Sequence, residues 1–186
     1  VWRDGRNQTT RAADIYARRV AAAGTRPARE ERISGPQALG EDSLPAVAYN
    51  PDTNEYLVVW QDGRNEATTG LDIYGRRVNA VDGKPVGGDI RIGGPGATAD
   101  DRSPTVAYNS ADNEFLVAWE DGRNGLDIYG RRVSAAGKAT GPDFRISGGA
   151  AQEVWPALAY NPADNEYLVA WMDDRAGAWD VYGRRL

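Results

Sequence analysis

One unit of this chain reads as four strand candidates separated by turn chemistry. The first is Pro45-Ala46-Val47-Ala48-Tyr49-Asn50, which runs into Asn50-Pro51-Asp52-Thr53-Asn54, where Pro and Asn favour a tight reversal. The second, Glu55 to Gln61, is apolar on both alternating faces over Tyr56-Leu57-Val58-Val59-Trp60, as expected of a strand covered by a neighbour on each side. The third, Asp72 to Val78, sets Ile73, Gly75 and Arg77 against Asp72, Tyr74 and Arg76, and this mixed alternation places it nearer solvent. The fourth is the short, charged Asp89-Ile90-Arg91-Ile92, suited to an exposed edge. No stretch supports a helix.

The unit recurs. Val59-Trp60-Gln61-Asp62-Gly63-Arg64-Asn65 returns at Val1 to Asn7, at Ala118 to Asn124 and, more loosely, at Ala170 to Arg175. Asp-Ile-Tyr-Gly-Arg-Arg-Val is identical at 72–78 and 127–133, with near copies at 14–20 and 180–186. Trp2, Trp60, Trp119 and Trp171 thus share one repeat position, and Tyr16, Tyr74, Tyr129 and Tyr182 share another, so all eight read as core. A four-stranded meander at this period is the signature of propeller blades. The expected fold is all-β: a β-propeller-like array of about four units, at residues 1–36, 37–95, 96–148 and 149–186, the first and last incomplete. Small residues Ala46, Ala48, Ala107, Ala157 and Ala159 would let the first strands crowd together near an axis. The opening at Val1-Trp2, with neither Met nor an apolar leader, reads as a piece of a longer chain or assembly.

Composition narrows the chemistry. A net charge of −5 with Arg interleaved among Asp speaks against nucleic acid as a partner. No apolar run of about 18 residues is present to enter a bilayer. With no Cys and no His, thiolate and imidazole ligands and every His-dependent relay are excluded, and only carboxylate chemistry stays open.

Tyr-Leu-Val-x-Trp, Asp-Gly-Arg-Asn and Asp-Ile-Tyr-Gly-Arg-Arg together resemble the tandem repeats of large secreted or surface-associated bacterial proteins. The resemblance covers essentially the whole chain and implies propeller-like β-domains and an extracellular or cell-surface location. The chain lacks the Ser-x-Asp-x-Gly-x-Thr-Trp box of sialidases and the Gly-His and Trp-Asp pairing of eukaryotic scaffolding propellers, so neither of those functions carries over.

Four features invite chemical readings. Asp121, Asn124 and Asp127 place oxygen ligands close together and suggest calcium, the sole cofactor in view, although Arg123 among them favours structural Arg–Asp pairing instead. Arg76-Arg77 and Arg131-Arg132 could bind an anionic polysaccharide, but alternation sends adjacent side chains to opposite faces, which favours separate carboxylate partners. Trp155 replaces Leu44 or Ser103, and Trp179 replaces Leu71 or Leu126; aromatics at these non-consensus positions could stack on a sugar or fill local gaps. Glu30-Glu31, Glu41-Asp42 and Asp100-Asp101 raise a glycosidase reading, yet they sit in polar linkers where solvated charge is the ordinary expectation.

The sequence therefore leads to a non-enzymatic extracellular module for adhesion or for glycan or protein recognition, presenting variable tips such as Asn7 to Ala13 and Asn65 to Leu71. Two alternatives stay open. One is a structural subunit that joins copies of itself through blade edges, and the other is part of a propeller-type glycoside hydrolase.

Overall fold

The computed structural model describes residues 1–6, 12–20, 29–35, 40–93, 99–149 and 151–186. Four antiparallel sheets follow one another. The first holds β1 (Trp2–Asp4), β2 (Asp14–Ala17) and β3 (Glu31–Arg32), and the second β4 (Asp42–Asn50), β5 (Glu55–Asp62), β6 (Asp72–Asn79) and β7 (Pro85–Arg91). The third comprises β8 (Asp101–Asn109), β9 (Glu114–Asp121), β10 (Asp127–Ser134) and β11 (Ala139–Arg145), and the fourth β12 (Glu153–Asn161), β13 (Glu166–Asp173) and β14 (Asp180–Arg185). Strand order equals chain order in every sheet, so each is a meander. The all-β, propeller-like array of blades with incomplete outer copies is as the repeats implied. A single turn of helix, α1 (Glu66–Thr69), is the exception. It sits at the tip between β5 and β6, where Thr68 and Thr69 N–H groups bond the Asn65 carbonyl. The equivalent tip Asn7 to Ala13 lies largely outside the described residues.

The sheets stack through one repeated contact. Trp60 packs with Ile15 and Ile33 of the sheet before it, Trp119 with Ile73 and Ile92, and Trp171 with Ile128 and Ile146. All three Trp are buried, whereas Trp2 is half-buried. Each Trp also faces the repeat Tyr of its own sheet across a strand pair, as Trp60 faces Tyr74 and Trp119 faces Tyr129. The first strands pack in series, β4 on β8 and β8 on β12, as their small residues suggested.

The third strand corrects the sequence reading, for β6 and β10 are largely buried. Their arginines are absorbed within the stack: Arg76 donates to the Ile33 carbonyl (3.1 Å), Arg131 to Ile92 (3.0 Å) and Arg184 to Ile146 (2.8 Å), each reaching back to the preceding sheet. Arg77 and Arg132 pair with Glu55 and Glu114. The two arginines thus part company, as alternation requires.

Each complete first strand carries a bulge. Register shifts between Ser43 and Ala46, Arg102 and Thr105, and Val154 and Ala157. The residue at its crest is left-handed in all three: Leu44 (φ 49°), Ser103 (φ 50°) and Trp155 (φ 54°), each followed by Pro. Proline is tolerated because the first strand is a sheet edge and the bulge needs no ladder bond there. The bulge turns its crest residue out of the sheet.

Candidate functional site

One end of each blade gathers carboxylates. Strand register aligns Asp42 with Asp62 and Asp62 with Asp72, Asp101 with Asp121 and Asp121 with Asp127, and Glu153 with Asp173 and Asp173 with Asp180. Asp42 and Asp101, expected to be solvated linker charge, are fully buried at the starts of β4 and β8. They are buried because this first residue locks one blade onto the previous one. The N–H of Asp42 bonds the Ala13 carbonyl (2.9 Å), that of Asp101 bonds Leu71 (2.8 Å) and that of Glu153 bonds Leu126 (2.7 Å).

The side chains of these acids are set against carboxylates that arginines claim. Arg64 Nε donates to Asp62 (2.8 Å), Arg123 Nε to Asp121 (2.8 Å) and Arg175 Nε to Asp173 (2.8 Å), while each guanidinium stacks on the Tyr of its repeat, Tyr74, Tyr129 and Tyr182, at 4.0, 4.3 and 4.0 Å. Burial, then the neighbouring Asp62 charge, pushes Asp42 up to about 8. Burial and Asp121 likewise push Asp101 up to about 9. Burial raises Glu153, with Asp127 and Asp173 adding to the effect, whereas hydrogen bonding from Arg175 lowers Asp173 to about 2. Glu153 and Asp173 are therefore register partners driven in opposite directions, which is the condition that separates a proton-holding acid from an ionised base.

At the residues of the calcium reading the same geometry sets other partners. Asp121 is occupied by Arg123, Asp127 accepts from Arg145 (2.7 Å), and Asn124 turns to the Tyr129 hydroxyl (3.4 Å). Guanidinium groups fill the positions a cation would take, and among the described residues no cluster of three acids is placed to hold a metal.

The fourth blade departs from the others at this end. Glu153 stands where Asp42 and Asp101 stand, and Asp174 where Gly63 and Gly122 stand. Trp155 occupies the bulge crest and is 65% exposed; Trp179, just ahead of β14, is 47% exposed. The Trp155 N–H donates to Glu120 Oε1 (2.7 Å), which fixes the crest against the third blade. A cavity of about 360 Å³ opens here, lined by Gly148, Gly149, Ala151, Glu153, Asp174 and Arg175. Sequence reasoning selected the two tryptophans, and the structure brings both to this end of the sheet. It missed Glu153 and Asp174, although comparing copies position by position would have shown both.

No protein-family model matches the chain and no curated protein matches it. Solved structures do. An endo-arabinase from Bacteroides thetaiotaomicron VPI-5482 superposes with a TM-score of 0.56 at 11% identity, over 94% of this chain and 66% of that one. An exo-β-1,3-galactanase from Phanerochaete chrysosporium gives 0.55 at 9%, over 90% and 38%, and an α-L-arabinofuranosidase from Lactobacillus brevis gives 0.53 at 13%, over 86% and 55%. The chain spans roughly two-fifths to two-thirds of the length of these structures. The class that the fold defines is thus the propeller architecture on which these glycoside hydrolases are built. That finding overturns the expectation of a non-catalytic adhesion or recognition module, and with it the reading of the chain as no enzyme, since the structures it superposes on are enzymes.

Proposed function

We propose that this chain forms part of a propeller-type glycoside hydrolase whose acid–base chemistry is centred on the fourth blade. The observation that carries the reading is that Glu153, Asp174, Trp155 and Trp179, four departures from the repeat, fall at one end of one blade, where Glu153 and Asp174 line a cavity. Glu153, whose carboxyl burial shifts towards the protonated form, is the general acid that gives its proton to the leaving glycosidic oxygen. Asp174, on the cavity wall with its Oδ1 accepting the Gln152 N–H (2.8 Å), is the second carboxylate. Trp155 and Trp179 offer apolar faces to sugar rings, as exposed aromatics in glycan sites do. Arabinans and β-1,3-galactans, the substrates named for the superposed enzymes, are the first class to test. Such polymers lie outside cells, which agrees with a secreted protein, and among the described residues no helix is long and apolar enough to cross a membrane.

The test is release of reducing ends from arabinan and β-1,3-galactan, with nitrophenyl arabinofuranoside and galactoside as small substrates. Glu153→Gln should lower kcat by about 100-fold or more. Trp155→Ala should raise KM with little change in kcat. Turnover by Glu153→Gln equal to that of the unaltered protein removes the proposal.

A further inference from the structure

The proposed acid is gripped from the preceding blade. Ser147, just beyond β11, accepts the Ile128 N–H at 2.8 Å and donates its hydroxyl proton to Glu153 Oε2. With the hydroxyl proton directed at Oε2, the carboxyl proton is left to the other oxygen, Oε1. Glu153 Oε1 is buried and has no hydrogen-bond partner. It faces the cavity side, with Arg175 Nη2 at 3.7 Å and a Cβ built on Gly149 at 3.9 Å, both residues belonging to the cavity wall. We infer that Ser147 is a positioning residue that orients the Glu153 carboxyl across the blade junction, so that its transferable proton resides on Oε1, facing the cavity. The inference rests on the reading of Glu153 as general acid, but its structural content, which oxygen holds the proton and what fixes it there, stands on the hydrogen bonds alone.

The repeat supplies an internal comparison. Ser34 occupies the Ser147 position one junction earlier, with its Oγ accepting the Ile15 N–H (3.1 Å), but the acid there is the shorter Asp42 and neither of its oxygens has a hydrogen-bond partner. At the middle junction the position is Gly93 and both oxygens of Asp101 are likewise without a hydrogen-bond partner, so of the three junctions the hydroxyl-to-carboxyl bond is made at the one where Ser meets the longer Glu153. A hydroxyl donor favours the ionised form of the acid, so its loss favours the neutral form. The other groups that bear on Glu153 are Asp127 and Arg145 from the preceding blade, and Asp173 and Arg175 from its own. None of them supplies a second donor to Oε2.

The experiment follows the Glu153 side-chain carboxyl by carbon-13 NMR as pH is varied, in the unaltered protein and in Ser147→Ala and Ser147→Thr, with Glu153→Gln used to assign the signal. Ser147→Ala should move the midpoint upward by about one pH unit, and Ser147→Thr, which keeps the hydroxyl, should restore it. In turnover assays the alkaline limb of the pH–rate profile should move by the same amount. A folded Ser147→Ala protein with an unmoved midpoint overturns the inference. Loss of all turnover dependence on Glu153 would instead overturn the hydrolase reading, while the NMR midpoint still reports on Ser147.

Discussion

Replacing Asp42 by Asn should flatten the dependence of stability on pH. Asp42 is fully buried beside Asp62, whose charge Arg64 holds in place, and burial with that neighbour pushes it up to about 8 from an ordinary 3.8. Between those values the folded protein keeps a proton that the unfolded chain has released. The contribution is fully present below the ordinary carboxylate range and is lost as pH rises towards 8. One such proton gives a slope of about 1.4 kcal/mol per pH unit, which for a chain of this size is about 3–5 °C in melting temperature per unit. Asparagine keeps the shape and an N–H donor towards Asp62 but does not titrate. Thermal melts of Asp42→Asn from pH 5 to 9 should therefore fall less steeply than those of the unaltered protein by that amount, with the variant gaining relative stability towards pH 8. A slope equal to that of the unaltered protein, or a variant whose deficit grows as pH rises, refutes the assignment of a buried proton here.

Three further outcomes follow from the stack. Asp101→Asn should flatten the same profile at its alkaline end, since Asp101 is pushed up to about 9, and the double variant should lose about twice the slope in the same melts. Trp119→Ala, which empties the seat against Ile73 and Ile92, should cost roughly 3–5 kcal/mol in urea unfolding, whereas Trp155→Ala, at the exposed bulge crest, should cost less than about 0.5 kcal/mol. Gly130→Ala should destabilise by a measurable shift in melting temperature, because a Cβ there would lie 2.8 Å from the Ile146 side chain and 3.3 Å from the Val117 carbonyl.

What the sequence disclosed and what it concealed divide along a physical line. The strands, their meander order and the Trp seats were legible because a repeated apolar position must be buried in the same way each time, and Trp60, Trp119 and Trp171 each meet a pair of isoleucines from the sheet before. The acids were not legible, because a carboxylate in a polar linker looks alike whether water or a neighbouring blade surrounds it. Only the stacking of blades shows that Asp42, Asp101 and Glu153 each begin a first strand whose N–H closes on the previous sheet, and that step excludes water from the side chain. The third strand misled for the same reason: its alternation placed it nearer solvent, with carboxylates as partners for its arginines, whereas Arg76 and Arg131 reach back to the carbonyls of Ile33 and Ile92. Burial of charge in this fold is a property of the junction between units, and no single unit encodes it. A site that works by holding a proton on a buried carboxyl must then be sought where one unit breaks its own pattern at a junction, and the fourth blade does so with Glu153 for Asp and Asp174 for Gly.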